Sequence, residues 1–201
     1  MVGIIFTGGE CPASPAPPRE NFIVIAADSG LLAAEQSGLP IDWIIGDMDS
    51  VDTALLDKYP PEKIIRFKKD KDYSDTELAL QKAAELGCTE CRLIGGGGGR
   101  MDHLLAITRL TGWDKWFTKT ETCYKIDAQK NKLLELECVI NTTISVFPLD
   151  QGPWKIKSKG LFWPIDNLDW KRQYSLSNRT TGNTLRFEAL QGIFLIIINN
   201  T

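Results

Sequence analysis

The chain has 201 residues, 43% of them apolar and 24% charged, with a net charge of −3. That is enough to bury a real core in one large domain or two small ones. The acidic balance and the lack of a long basic run exclude the dense cationic surface that nucleic-acid binding needs, so no nucleic-acid partner is expected.

Val2 to Phe6 is a continuous apolar run that begins directly after Met1. With no basic segment before it and too few apolar residues for a signal sequence, it reads as a strand, and the protein is expected in the cytoplasm. Cys11 to Pro18 is a proline-rich loop, unable to continue a helix or a sheet. Phe22 to Ala27 is a second apolar run, as expected for a strand covered on both faces. Asp28-Ser29-Gly30 then opens a helical stretch that Gly38 closes. Trp43 to Ile45 and Ile64-Ile65 are further strands. Ser74-Asp75-Thr76-Glu77 has the form of a capping box, followed by Leu78, Ala79, Ala83 and Leu86 at helical spacing up to Gly87. Leu93-Ile94 is a fifth strand, the glycine run Gly95 to Gly99 follows it, and a helix starts around Met101.

Beyond Gly112 the texture changes. Glu121 to Asp127, Lys132 to Cys138, Thr142 to Leu149, Trp154 to Trp163, Gln173 to Ser177, Thr184 to Leu190 and Ile193 to Asn199 all read as strands. The last of these is too short to span a bilayer, and no membrane association is expected. The predicted fold is therefore α/β followed by all-β: an open, mostly parallel, Rossmann-like sheet over residues 1–118, then a β-sandwich over residues 119–201.

Five aspartates sit where strands end or helices begin: Asp28, Asp47, Asp49, Asp72 and Asp75. In an open parallel sheet the carboxyl edge of the strands collects ligands, so one edge would gather all five. A single aspartate there is most simply a cap or a turn residue. Five together repel one another unless a cation joins them, and Mg²⁺ takes oxygen ligands while bridging to phosphate. Gly95 to Gly99 with Arg100 adds a second phosphate-binding feature, because glycines let backbone N–H groups approach closely and a guanidinium offers a fork of donors. It is neither a Walker A loop nor a spaced dinucleotide fingerprint. His103, taken alone, reads as a packed or hydrogen-bonded side chain. Cys88 and Cys91 form the only C-x-x-C among five cysteines; with no second pair, they read as packing thiols in a reducing compartment.

The combination is more specific than its parts. Ala27-Asp28-Ser29-Gly30, Gly46-Asp47-Met48-Asp49-Ser50, Asp70-Lys71-Asp72-Tyr73-Ser74-Asp75 and Gly95 to His103, in that order and spacing, resemble the thiamine pyrophosphokinase family. Gly160-Leu161-Phe162-Trp163 and Ser175-Leu176-Ser177-Asn178 look like its C-terminal motifs, so the resemblance spans nearly the whole chain. It implies transfer of the pyrophosphoryl group of ATP to the hydroxyl of thiamine, giving thiamine diphosphate and AMP. It implies that Asp28, Asp47, Asp49 and Asp75 hold Mg²⁺, with Asp47, Asp49 or Asp75 activating the hydroxyl. Asp72, Ser74, Gly98, Gly99, Arg100, Asp102 and His103 would meet the nucleotide. Trp163, Ser175, Ser177 and Asn178 would meet thiamine, whose cationic ring suits an indole and carboxylates. It further implies a homodimer that holds thiamine between the first domain of one chain and the second domain of the other. Ser74 stands where threonine is usual, Ile107 where asparagine is common, and the loop from Trp163 to Ser175 is short. Two other functions fit the residues: a kinase or pyrophosphokinase of a different small alcohol, or a sensing module without catalysis.

Overall fold

The structure is a computed structural model that describes residues 1–12 and 21–200, so most of the proline-rich loop lies outside the described residues. The chain divides into two compact units, Met1–Lys119 and Thr120–Thr201.

The first unit runs β1 (Val2–Phe6), β2 (Phe22–Ala27), α1 (Gly30–Ser37), β3 (Trp43–Gly46), α2 (Thr53–Leu56), β4 (Ile64–Arg66), α3 (Asp75–Glu85), β5 (Glu90–Ile94), α4 (Met101–Arg109) and β6 (Lys115–Phe117). Its strands lie in the order β6-β5-β1-β2-β3-β4, and every pairing is parallel. Ile4, Phe6, Val24, Ala26 and Ile44 pack with Leu31 and Ala34 of α1 in one core. The alternate residues Ile5, Ile25 and Ile45 are equally buried outside that cluster, which is why these strands are apolar without alternation. The chain winds outward from β1 to β4, then returns past β1 to β5. The winding therefore reverses between β1 and β5, and a crevice opens beyond their carboxyl ends.

The second unit is all-β: β7 (Glu121–Asp127), β8 (Leu133–Glu137), β9 (Thr143–Pro148), β10 (Lys155–Lys159), β11 (Ser175–Arg179), β12 (Thr184–Gln191) and β13 (Ile193–Asn199). Strands β11, β9, β13 and β7 pair antiparallel in that order, as do β10, β12 and β8. Ile126, Ile144, Val146, Phe194 and Ile196 from the first set share a core with Ile156, Leu185, Phe187 and Ala189 from the second. The strand expected over Trp154 to Trp163 ends at Lys159, because Gly160 turns with φ 95° and Phe162 leaves to donate its N–H to the Arg179 carbonyl.

None of the five cysteines forms a disulfide, and Cys91 and Cys123 are buried. No helix among the described residues is long and apolar enough to cross a membrane.

Candidate functional site

Local geometry carries the aspartates of the first unit toward one another. Asp28 leaves β2 with φ 46°, and its N–H donates to the Ile45 carbonyl, which ties it to the end of β3. Gly46 closes β3. A Cβ there would meet Asp28 Cβ at 3.1 Å and Asp75 Oδ1 at 3.2 Å, so only glycine lets the two carboxylates converge at this point. Met48 turns through φ 65° and is buried, which sends Asp47 and Asp49 to the same side, and the Asp49 N–H donates to Asp47 Oδ1 at 3.1 Å. Asp75 opens α3 behind Ser74, whose hydroxyl accepts from the Glu77 N–H while its own N–H donates to Glu77 Oε2 at 2.8 Å. The capping box expected at this place is formed.

Asp28, Asp47 and Asp49 each offer an oxygen, all within 4.8 Å of one another. Asp28 Oδ2 accepts from the Ser50 hydroxyl. Asp28 Oδ1 and Asp75 Oδ1 are buried and receive no hydrogen bond from the described residues. Buried oxygens left in this state are costly, and a cation satisfies them. The Lys71 ammonium lies 3.1 Å from Asp75 Oδ1 and 3.7 Å from Asp47 Oδ2, the first an ion-pair contact by distance without hydrogen-bond direction. Lys69 pairs with Asp49. Burial pushes the Asp75 carboxyl up, and the charges of Asp28 and Asp47 add to the shift against the pull of Lys71. The Asp49 N–H holds the Asp47 carboxyl down, with Lys71 and Lys69 assisting. Asp72 is exposed and stands outside the cluster.

A cavity of about 480 Å³ opens beside these carboxylates at the switch point between β1 and β5. Thr7, Gly8 and Gly9 line it after β1, Asp28 after β2, Ser74 and Asp75 before α3, and Gly96, Gly97, Gly99, Arg100 and His103 after β5. Gly95 has φ 103°, and a Cβ there would fall 2.4 Å from the Thr7 carbonyl; the glycine run thus folds flat against the turn after β1. The Glu10 N–H donates to the Gly97 carbonyl, joining the two loops. Gly98 faces the Glu10 side chain instead of the cavity. Arg100 precedes α4 and donates through Nε and Nη2 to Asp102, which is held down by this guanidinium. His103 is exposed at the cavity wall.

In the second unit, Trp163 is 55% exposed, edge-on to Phe162 with ring centroids 4.8 Å apart. The Arg179 guanidinium covers Phe162 at 4.0 Å. Asn178 is 2% exposed, and its amide is fully engaged. Nδ2 donates to the Trp163 carbonyl at 2.7 Å and Ser175 Oγ at 3.2 Å, while Oδ1 accepts from the N–H groups of Trp163 and Arg179. Ser175 is buried beside it. Ser177 is exposed with φ 52°, and its N–H donates to Ser145 Oγ.

Sequence reasoning gave no part to Lys69, Lys71, Arg179 or the hydroxyl pair Thr7 and Thr76, 2.8 Å apart between β1 and α3. Lys71 carried one usable signal, its position four residues before Asp75 at the helix start.

A family model described as "Thiamin pyrophosphokinase, catalytic domain" matches residues 19–124. Among solved structures, the chain is similar to a thiamin pyrophosphokinase family protein from Enterococcus faecalis, at 19% identity and TM-score 0.77 over 100% of this chain and 99% of that one. It is similar to the thiamin pyrophosphokinase from Geobacillus thermodenitrificans, at 20% identity and TM-score 0.74 over 100% and 98%. The one from Candida albicans shares 15% identity and TM-score 0.72 over 98% of this chain and 88% of that one. At such identities these likenesses establish a common fold. No curated protein matches the chain significantly.

Proposed function

The chain belongs to the thiamin pyrophosphokinase family, and from that premise we propose how its residues carry out the family's reaction. That reaction moves the pyrophosphoryl group of ATP to the hydroxyl of thiamine and yields thiamine diphosphate and AMP; ATP and thiamine are its substrates. The observation that carries the reading is the convergence of Asp28, Asp47 and Asp49 within 4.8 Å, next to the unsatisfied buried oxygens of Asp28 and Asp75. Hard oxygen donors in this number fit a divalent cation, and we take it to be Mg²⁺ held by Asp28, Asp47, Asp49 and Asp75. When bound, the ion neutralises charge on the polyphosphate.

The thiamine hydroxyl oxygen forms a bond to the β-phosphorus of ATP as the bond from that phosphorus to the α,β-bridging oxygen breaks and AMP leaves. Little covalent chemistry falls to the protein, so positioning carries most of the rate. The hydroxyl proton needs an acceptor. Of Asp47, Asp49 and Asp75, we take Asp75, the one of the three that lines the cavity, as that acceptor. The glycine-lined cavity takes the phosphates, with Ser74, Gly99, Arg100 and His103 on its wall. Arg100 first has to exchange Asp102 for phosphate oxygens. Asp72 and Gly98 belong to the same nucleotide-binding loops.

We assign residues 1–118 to a Rossmann-like catalytic and nucleotide-binding domain and residues 119–201 to a β-sandwich that binds thiamine. There Trp163 stacks on the substrate, with Ser175 and Ser177 beside it, and Asn178 acts by fixing the Trp163 backbone. The working unit is a homodimer. Five cysteines without a disulfide support a cytoplasmic enzyme.

The test is incubation with ATP, Mg²⁺ and thiamine, with nucleotide and thiamine products separated by chromatography. AMP and thiamine diphosphate should appear in equal amounts; ADP would mean a simple kinase instead. Asp49→Asn should lower turnover at least about a hundredfold without unfolding the chain, the scale expected for losing a group that acts on transition-state charge. Full activity in that variant would refute the metal assignment.

A further inference from the structure

Lys69 and Lys71 stand on the loop that leads into α3, and both turn their ammonium groups onto the aspartate cluster. They do so differently. Lys69 is 77% exposed and reaches Asp49 from solvent. The Lys71 side chain is 15% exposed and lies between Asp75 at 3.1 Å and Asp47 at 3.7 Å. An ammonium this far from water is kept there by its partners, since burying it otherwise is costly. Its partners are two of the four carboxylates assigned above to a divalent cation. One of the atoms it meets is Asp75 Oδ1, an oxygen that the other described residues leave without a hydrogen bond.

An ammonium offers one charge and three hydrogens; a divalent ion offers two charges and takes the carboxylate lone pairs directly. The two cannot hold the same oxygens at once. Four carboxylates against two ammonium groups also leave an excess of negative charge equal to one divalent ion, so the lysines weaken the pull on the ion without cancelling it. An ammonium displaced from Asp47 and Asp75 stays on its four-carbon stem at the edge of the cluster, where the polyphosphate must come to meet the ion.

We propose that Lys71 is a positioning residue: it occupies the ion-facing oxygens of Asp47 and Asp75 in the metal-free enzyme and transfers to the ATP phosphates when the divalent ion takes those oxygens. The inference rests on the metal-site reading of the aspartates. It differs from the plain structural role of an i,i+4 pair at a helix start. A pair that only fixes the loop would, when cut, weaken binding of ion and nucleotide together. An exchanging lysine, when removed, strengthens binding of the ion alone and weakens binding of the nucleotide.

The experiment titrates Mn²⁺ alone, without nucleotide, into native chain, Lys71→Met and Lys71→Arg by calorimetry, and measures the KM for ATP at saturating Mn²⁺. Lys71→Met should bind Mn²⁺ about tenfold tighter and raise the KM about tenfold, the size of one half-buried charge contact. Lys71→Arg keeps the charge and should stay near native on both. Circular dichroism checks that each variant is folded, and Lys71→Gln, also uncharged, should follow Lys71→Met. Mn²⁺ affinity equal to or below native in both uncharged variants, or an unchanged KM, overturns the exchange. Asp49→Asn separates the two failures. If it loses Mn²⁺ while Lys71→Met gains none, the exchange alone is wrong; if it binds Mn²⁺ like the native chain, the metal site itself is misassigned.

Discussion

Tyr59 donates its hydroxyl hydrogen to Glu35 of α1, with Lys58 3.4 Å from the same carboxylate. The Tyr59 contact is the main reason the Glu35 carboxyl is held below its ordinary value, and burial with the same partner pushes the phenol up. A lowered carboxyl stabilises the fold above the unfolded value of 4.5, and that contribution is lost as pH falls through the folded value. Tyr59→Phe should therefore cost about 1.5 to 3 kcal/mol at pH 7, the range for a hydrogen bond to a charged group. As pH falls through the lowered folded value and Glu35 takes up a proton, that difference should shrink; thermal melts of both chains from pH 7 down the acid limb check it. At this scale the sequence was legible for the aspartates and opaque for their neighbours. Asp28, Asp47 and Asp49 follow strands whose apolar runs are plain, so their shared edge follows from topology. The run Lys68-Lys69-Asp70-Lys71-Asp72 does not tell which lysine turns inward, and the rotation of Lys71 is decided by the path of the chain from β4 to α3. Asn178 misleads in the opposite sense: a polar residue in a binding motif, it is buried and spends its whole amide on the Trp163 and Arg179 backbone and Ser175.

Elements bring the carboxylates together by ending where they do. Strand β3 stops at a glycine whose φ is 155°, with Asp28 Cα only 3.3 Å from where a Cβ would sit. Gly46→Ala should cost about 1 to 3 kcal/mol in stability, as strain at such a position does. It should weaken Mn²⁺ binding more than denaturant unfolding alone accounts for, because Asp28 and Asp75 must move apart. Native Mn²⁺ affinity in the Gly46→Ala variant would show that the close approach is incidental. The strands of the first unit were readable because a strand covered on both faces has no polar alternation to confuse it. Helix α3 was readable from its capping box and its period. Helix α2 has four residues and strand β6 three, too few for any period, and neither was anticipated. In the second unit the strands were found, but their ends shifted where turns carry aromatic residues, as after Lys159.

For the molecule as a whole, a ligand that binds only the folded chain raises its stability by mass action, about 2.7 kcal/mol at a hundred times its dissociation constant. Metal-stripped protein given Mg²⁺ at that level should therefore melt about 5 to 11 °C higher in calorimetry, at about 2 to 4 °C per kcal/mol for chains near this length. Asp49→Asn should erase the rise, and a rise that survives it would put the ion elsewhere. The free chain thus carries a burden that its ligand relieves. Asp28 hides an oxygen that no described residue satisfies, and that of Asp75 is met only by the Lys71 ammonium; replacing such a carboxylate by a neutral side chain removes the cause. A breeding programme that selected this protein for heat tolerance alone would accordingly collect its gains at the residues turnover depends on, and would drift toward sturdy, inert descendants.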